Sequence, residues 1–171
     1  IHILSATAPR PEAISNLKMK DIEEYPDGFT KLVLYSGDFK HETITFLHPE
    51  ATNALNQYLN YRKQKGEKLT DESYVFVNML RKKNNSSNKM LVMTLQSNMR
   101  HIFDEAGIKK VKQGNRYDLA IFNGFRKRFA TRLQLSNKIT ESAIQCFMDH
   151  TGYLSDNYRK PTDDELFREY K

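Results

Sequence analysis

The stretch from Asn123 to Tyr158 constrains this chain more than any other. Phe125, Phe129 and Leu133 recur at i, i+4 and i+8, an apolar stripe that predicts a helix and fixes its inward face. A polar break at Ser136-Asn137 separates it from a second helix predicted to end at Asp149-His150. A lone Tyr158 follows, with Arg159, Lys160 and Pro161 behind it. Arg126 lies beside the stripe, near the predicted start of the first helix, where backbone N–H groups and the helix dipole favour an anion. A guanidinium there would complete a bidentate phosphate clamp. A buriable arginine, a histidine and an isolated tyrosine together can form a phosphate-handling site.

Charge supports that direction. The net charge is +6, and it is concentrated between Ala106 and Leu133. There Lys109, Lys110, Lys112, Arg116, Arg126, Lys127, Arg128 and Arg132 face the single acid Asp118. Such a basic field suits a polyanion, nucleic acid being the commonest. For the first three lysines a solvated helix face fits as well as phosphate contact does. The one cysteine, Cys146, falls within an apolar helical run and reads as a core thiol; no disulfide framework exists, which points to a reducing cytosol. No apolar run approaches membrane-spanning length.

The remainder, in order, predicts an α+β domain, mainly α-helical, with a small three-stranded antiparallel sheet. Ile1–Ala8 is a short apolar segment that looks helical, and Pro9-Arg10-Pro11 turns into a helix with Pro11 at its first position and Ile14 and Leu17 inside. After Asp21-Ile22, the runs Phe29–Tyr35 and Glu42–Leu47 alternate as hairpin strands about a Ser36-Gly37-Asp38 turn, with Lys40 at the tip. His48-Pro49 opens a helix with Ala54, Leu55, Tyr58 and Leu59 on one side, stopping near Gly66. Tyr74–Val77 is extended, and Arg81–Lys89 is a polar loop able to touch a DNA backbone. Leu95, Met99, Ile102 and Phe103 mark another amphipathic helix ended by Gly107. Thr162 caps a last short helix with an acidic first turn. At 171 residues this is one domain, 1–171, and its start inside a helix without an initiator Met marks it as an excised piece of a longer protein.

The order Arg10, Lys40, Asn123-x-x-Arg126, His150, Tyr158 resembles the catalytic domain of tyrosine recombinases, the family of phage and transposon integrases. The family pattern runs Arg, Lys, His-x-x-Arg, His or Trp, Tyr, and the resemblance covers nearly the whole chain. It implies an enzyme that cuts and rejoins DNA strands through a covalent 3′-phosphotyrosine, serving integration, excision or transposition of a mobile element. Tyr158 would be the nucleophile, Arg10 and Arg126 the phosphate clamp, Lys40 the general acid for the leaving 5′ oxygen, and His150 a hydrogen-bond donor to the phosphate. Lys109, Lys110, Lys112, Arg116, Lys127, Arg128, Arg159 and Lys160 would contact the DNA backbone. The resemblance further implies no metal, ATP or other cofactor. It implies double-stranded DNA with specific recombination sites as partner, a homotetramer on DNA and a monomer when free, no membrane, a cytoplasmic location, and an upstream core-binding domain outside this chain.

Three departures from the family pattern bear on chemistry. Asn123 stands where the family has His; an amide can hydrogen-bond but cannot take the tyrosine proton. At the Thr-Gly-x-Arg junction, Thr7 and Arg10 match, but Ala8 replaces the Gly, and Ala13 replaces the Glu three residues after the Arg, with Glu12 a substitute. Lys40 lies about two residues off its usual place. Two alternatives therefore stand beside the recombinase: a catalytically impaired DNA-binding or assembly module of the same fold, and a type IB topoisomerase-like enzyme.

Overall fold

The computed structural model describes residues 1–38, 40–79, 88–108, 111–114, 116–117, 120–136, 138–149 and 161–171. Among them are seven α-helices, a three-stranded antiparallel sheet and a two-stranded ribbon. Helix α1 (His2–Thr7) ends at Ala8, whose φ of 45° lies in the left-handed region, and Pro11 starts α2 (Pro11–Asn16). Ile14 and Leu17 are buried as the spacing predicts.

Strands β1 (Ile22–Tyr25), β2 (Phe29–Leu34) and β3 (Thr43–Leu47) pair in the order β1-β2-β3, with Leu32 opposite Ile22 on one side and Thr45 on the other. Alternation in β2 turns Leu32 and Leu34 toward one core, where they meet Leu47, Leu55, Leu59, Leu17 and Val75. Neighbouring positions of β3 face opposite ways: Leu47 joins that core, and Phe46 joins a second one with Phe129, Leu133, Ile144, Phe147 and Leu166. Each core buries enough large side chains, at roughly 1.5–3 kcal/mol apiece, to hold β3 from both faces.

His48 caps α3 (Pro49–Gln64), and Gly66 takes a positive φ of 82° just beyond its end. The inner face of α3 is Ala51, Leu55 and Leu59, and it also includes Arg62, which has no solvent exposure. Tyr74–Val77 does not form a ladder; it makes isolated bridges, Lys18 to Tyr74 and Val77 to Lys89. Helix α4 (Val92–Glu105) packs Met99 against Leu4, Ile14 and Ile121, while Ile102, read from the pattern as inward, is 38% exposed. The ribbon β4 (Lys112–Gln113) and β5 (Arg116–Tyr117) has strands of two residues, too short for alternation to announce them. No helix among the described residues is long and apolar enough to cross a membrane.

Helix α5 (Ile121–Ser136) starts two residues before the expected Asn123, and α6 (Glu141–Phe147), capped by Thr140, ends two residues before the expected Asp149. The last helix, α7 (Asp163–Tyr170), carries a Thr162/Glu165 capping box. It packs against its own sheet and α1. Phe167 packs 4.8 Å from the Tyr25 ring and 5.1 Å from those of Phe29 and Phe46, and the Tyr170 hydroxyl donates to the Ala6 carbonyl at 2.9 Å. The acidic first turn that suits the helix dipole also meets Lys31 (Asp163, 2.9 Å) and the Tyr25 hydroxyl (Asp164, 2.7 Å).

Candidate active site

Two arginines from distant parts of the chain converge at the end of α6. Arg126, the sixth residue of α5, donates to the Ala8 carbonyl at 3.0 Å and to the Met148 carbonyl at 2.8 Å. Arg10, just ahead of α2, pairs with the Asp149 carboxylate. Residues 148 and 149 are adjacent, so the two guanidinium groups are anchored on neighbouring residues, Arg126 by a backbone carbonyl and Arg10 by a side-chain carboxylate. Two carbonyls hold Arg126, which as the sixth residue of α5 lies beyond the free N–H groups of the helix start because α5 begins earlier than its sequence pattern suggested.

The electrostatics are lopsided. Burial, and then the charge of Arg10, pulls the Arg126 guanidinium below its ordinary value, while the nearby Tyr35 acts weakly the other way. Tyr35 is pushed up by its own burial against the pull of both arginines. Arg10 has Asp149 as counter-charge; Arg126 has carbonyl partners only among the described residues. Two cations against one carboxylate leave room for an anion. Of its five N–H donors Arg126 commits two to these carbonyls, and among the described residues the others remain to receive one.

The backbone is strained at this spot. Among the described residues four non-glycines have positive φ: Ala8 (45°), Asp27 (58°), Tyr35 (56°) and Asp149 (52°). Three of them border the arginine pair. Such conformations cost about 1–3 kcal/mol each and cluster where the surroundings serve function. Ala8 thus holds, without a glycine, the conformation that its place in the Thr-x-x-Arg junction requires.

The other candidates are distributed as follows. Lys40 is exposed, its backbone N–H held by Asp38 at 3.1 Å, and none of its contacts among the described residues reaches the arginines. Asn123 is exposed on α5, and Lys127 and Arg128 are exposed beside the inward Arg126. Lys112 is exposed on β4, and Arg116 lies opposite Gln113 on β5. His150, Tyr158, Lys109, Lys110, Arg159 and Lys160 lie outside the described residues, as does most of the Arg81–Lys89 loop.

Sequence reasoning missed Asp149, Tyr35 and His41. Glu12, the expected support for Arg10, is exposed, and the supporting carboxylate comes from Asp149 at 5% side-chain exposure. His41 Nδ1 stands 3.6 Å from the other Asp149 oxygen. Asp149 adjoins His150 in sequence, and an aspartate after a helix end is a good left-handed residue. That was the only signal available, and it says nothing about a partner 139 positions away.

The sequence profile of the phage integrase family matches residues 1–158. No curated protein sequence matches the chain. Among solved structures it is similar to a XerA recombinase, with 24% identity and a TM-score of 0.62 over 91% of this chain and 52% of that one. It is also similar to a XerH site-specific recombinase, in a pre-cleavage complex with its difH substrate, with 20% identity and a TM-score of 0.62 over 99% of this chain and 40% of that one. At these identities the likeness carries the fold, that of the recombinase catalytic domain, and the chain spans about half or less of either protein.

Proposed function

The chain belongs to the phage integrase family, and on that footing we propose that it is the catalytic domain of a site-specific DNA recombinase. In this reading Tyr158 attacks a backbone phosphate, leaving a 3′-phosphotyrosine and a free 5′ hydroxyl. The 5′ hydroxyl of a second strand reverses the step, and because the ester conserves the bond energy no ATP is needed. Arg10 and Arg126 neutralise the charge growing on the non-bridging oxygens. His150 adds a hydrogen bond, and the loop between β2 and β3 supplies the leaving-group proton, the role expected of Lys40. Lys112, Lys127 and Arg128, exposed on β4 and α5, suit contact with flanking phosphates. The partner is double-stranded DNA carrying a recombination site, the working assembly a tetramer on that DNA, the setting the cytoplasm, and the purpose the movement of a mobile element.

The observation that carries the reading is the pair of guanidinium groups anchored at residues 148 and 149, where among the described residues the Asp149 carboxylate pairs with Arg10 and not with Arg126. A structural arginine cluster has no need of uncompensated charge; a phosphate site does. Incubation with a nicked suicide DNA substrate should give a covalent protein–DNA adduct, and Tyr158→Phe should lose the adduct and keep DNA binding. Persistence of the adduct in that variant rejects Tyr158 as nucleophile.

Asn123 in place of a proton-accepting residue, together with the exposed Lys40, favours a second reading, a DNA-binding module of this fold with impaired chemistry. Any cleavage by the unaltered chain removes it.

A further inference from the structure

The hairpin loop carries two proton-bearing side chains, Lys40 and His41, and of the two it is His41 that faces a buried carboxylate. Asp38 organises the loop: its carbonyl accepts from the His41 N–H at 3.0 Å and the Glu42 N–H at 2.7 Å, and its side chain accepts from the Lys40 N–H at 3.1 Å. This wraps the chain so that Lys40 points into solvent while His41 turns back onto the arginine site. There its Nδ1 faces Asp149 Oδ1 at 3.6 Å, and that oxygen is buried with no hydrogen-bond donor in reach among the described residues. The second Asp149 oxygen holds Arg10. The Tyr35 ring lies 6.3 Å from the imidazole on the other side. One buried carboxylate thus ties the phosphate-clamping Arg10 to an imidazole that is 41% exposed toward solvent.

At 3.6 Å the two groups stand beyond hydrogen-bond range but within reach of an ion pair once the imidazole is protonated, and an imidazolium drawn to the carboxylate through Nδ1 turns its Nε2–H away from it. We propose that His41, in its protonated form the ion-pair partner of Asp149, is the general acid of the strand-cutting step. The assignment rests on the phosphotyrosine reading given above and names the loop residue that serves it. As the Tyr158 oxygen bonds to phosphorus and the bond from phosphorus to the 5′ oxygen breaks, His41 Nε2 passes its proton to that oxygen; the tyrosine proton goes to water. On rejoining, the attacking 5′ hydroxyl returns a proton to Nε2 as its oxygen bonds to phosphorus and the tyrosine leaves. The geometry gives the loop a donor beside the arginine site, where the sequence pattern pointed to Lys40.

Replacing the bridging 5′ oxygen of the suicide substrate by sulfur separates the candidates, because a thiolate leaves without being protonated. Single-turnover formation of the covalent adduct is followed for the unaltered chain, His41→Ala and Lys40→Ala on both substrates. His41→Ala should be slower by about a hundredfold to ten-thousandfold on the oxygen substrate, the range of a general acid, and close to the unaltered chain on the sulfur one. The recovery also shows that the variant is folded. Equal loss on both substrates, an unimpaired rate on oxygen, or rescue of Lys40→Ala alone would each overturn the assignment. If the unaltered chain forms no adduct with either substrate, the phosphotyrosine reading itself falls and the assignment falls with it.

Discussion

The molecule holds two buried arginines in opposite ways. Arg62, on α3, has no exposed surface, and every guanidinium nitrogen is engaged: Nε and one terminal nitrogen grip Glu67 at 2.7 and 2.9 Å, and the other donates to the carbonyls of Tyr74 and Val75, both at 2.7 Å. Arg126 is only half-buried, takes two carbonyls, and has a second cation, Arg10, for a neighbour. Burying a charge costs several kcal/mol unless it is paired and hydrogen-bonded. Around Arg62 that condition is met inside the chain. Around Arg126 it is met in part, and the part left over fits a ligand.

The contrast is sharpest in what each removal should do. Arg62→Ala strips four hydrogen bonds from the core and takes the donors away from two inward carbonyls. It should cost about 3–5 kcal/mol, read by chemical denaturation, and whatever protein remains folded should cleave at the normal rate. A loss below about 1 kcal/mol would mean that the compensated arginine is dispensable and the comparison wrong.

Arg126→Ala should do the reverse. Cleavage should fall by about a hundredfold to a thousandfold, the loss typical of one donor to a charged transition state. Stability should move by less than about 1 kcal/mol, because two hydrogen bonds are lost while a desolvated cation beside another cation is also removed. Adduct formation and a denaturation curve on the same preparation check both halves. A large drop in stability would make Arg126 a second Arg62.

How much of this was legible in the sequence follows the range over which each feature is determined. Helix caps, the Pro11 start, the hairpin and most of the apolar stripes depend on neighbours within a few positions, and they appear where the patterns put them, Ile102 on α4 excepted. Arg10 and Arg126 were legible through their order in the chain and do converge. The Asp149 carboxylate was not, because its partners lie 139 and 108 positions upstream and it carries no motif of its own. Nor was the burial of Arg62, since a basic residue in the last turn of a helix ordinarily reads as solvated. The seating of α7 on its own sheet depends on Tyr25, Phe29 and Phe46 presenting an aromatic face, which no local pattern reveals.

That seating extends the comparison to a neutral group. Burial pushes the Tyr170 hydroxyl above its ordinary value, and the hydroxyl donates to the Ala6 carbonyl at 2.9 Å, so it is compensated as Arg62 is. The folded chain therefore keeps this proton where the unfolded chain, titrating near pH ~10, releases it, and stability falls as pH rises beyond that value. Tyr170→Phe should lose about 1 kcal/mol at neutral pH and show a shallower alkaline decline than the unaltered chain. An unchanged slope would assign the decline to Tyr25, Tyr35 and Tyr58, which are also shifted upward.

The smallest effect concerns the strain beneath Arg126. Ala8 donates its N–H to Leu4 at 3.1 Å, closes α1 in the left-handed conformation, and in doing so aims its carbonyl at Arg126. A left-handed alanine costs about 1–2 kcal/mol, which Ala8→Gly would relieve. Against that stand the loss of a fully buried methyl, about 0.8 kcal/mol, and the greater freedom of an unfolded glycine, about 0.5–1 kcal/mol. The terms nearly cancel, so the free energy of unfolding should shift by less than about 1 kcal/mol. Cleavage should be unchanged, because the carbonyl keeps its direction when the conformation does. A marked fall in cleavage without a change in stability would show that the alanine methyl, rather than the backbone turn, is what keeps the Arg126 side of the pair in place.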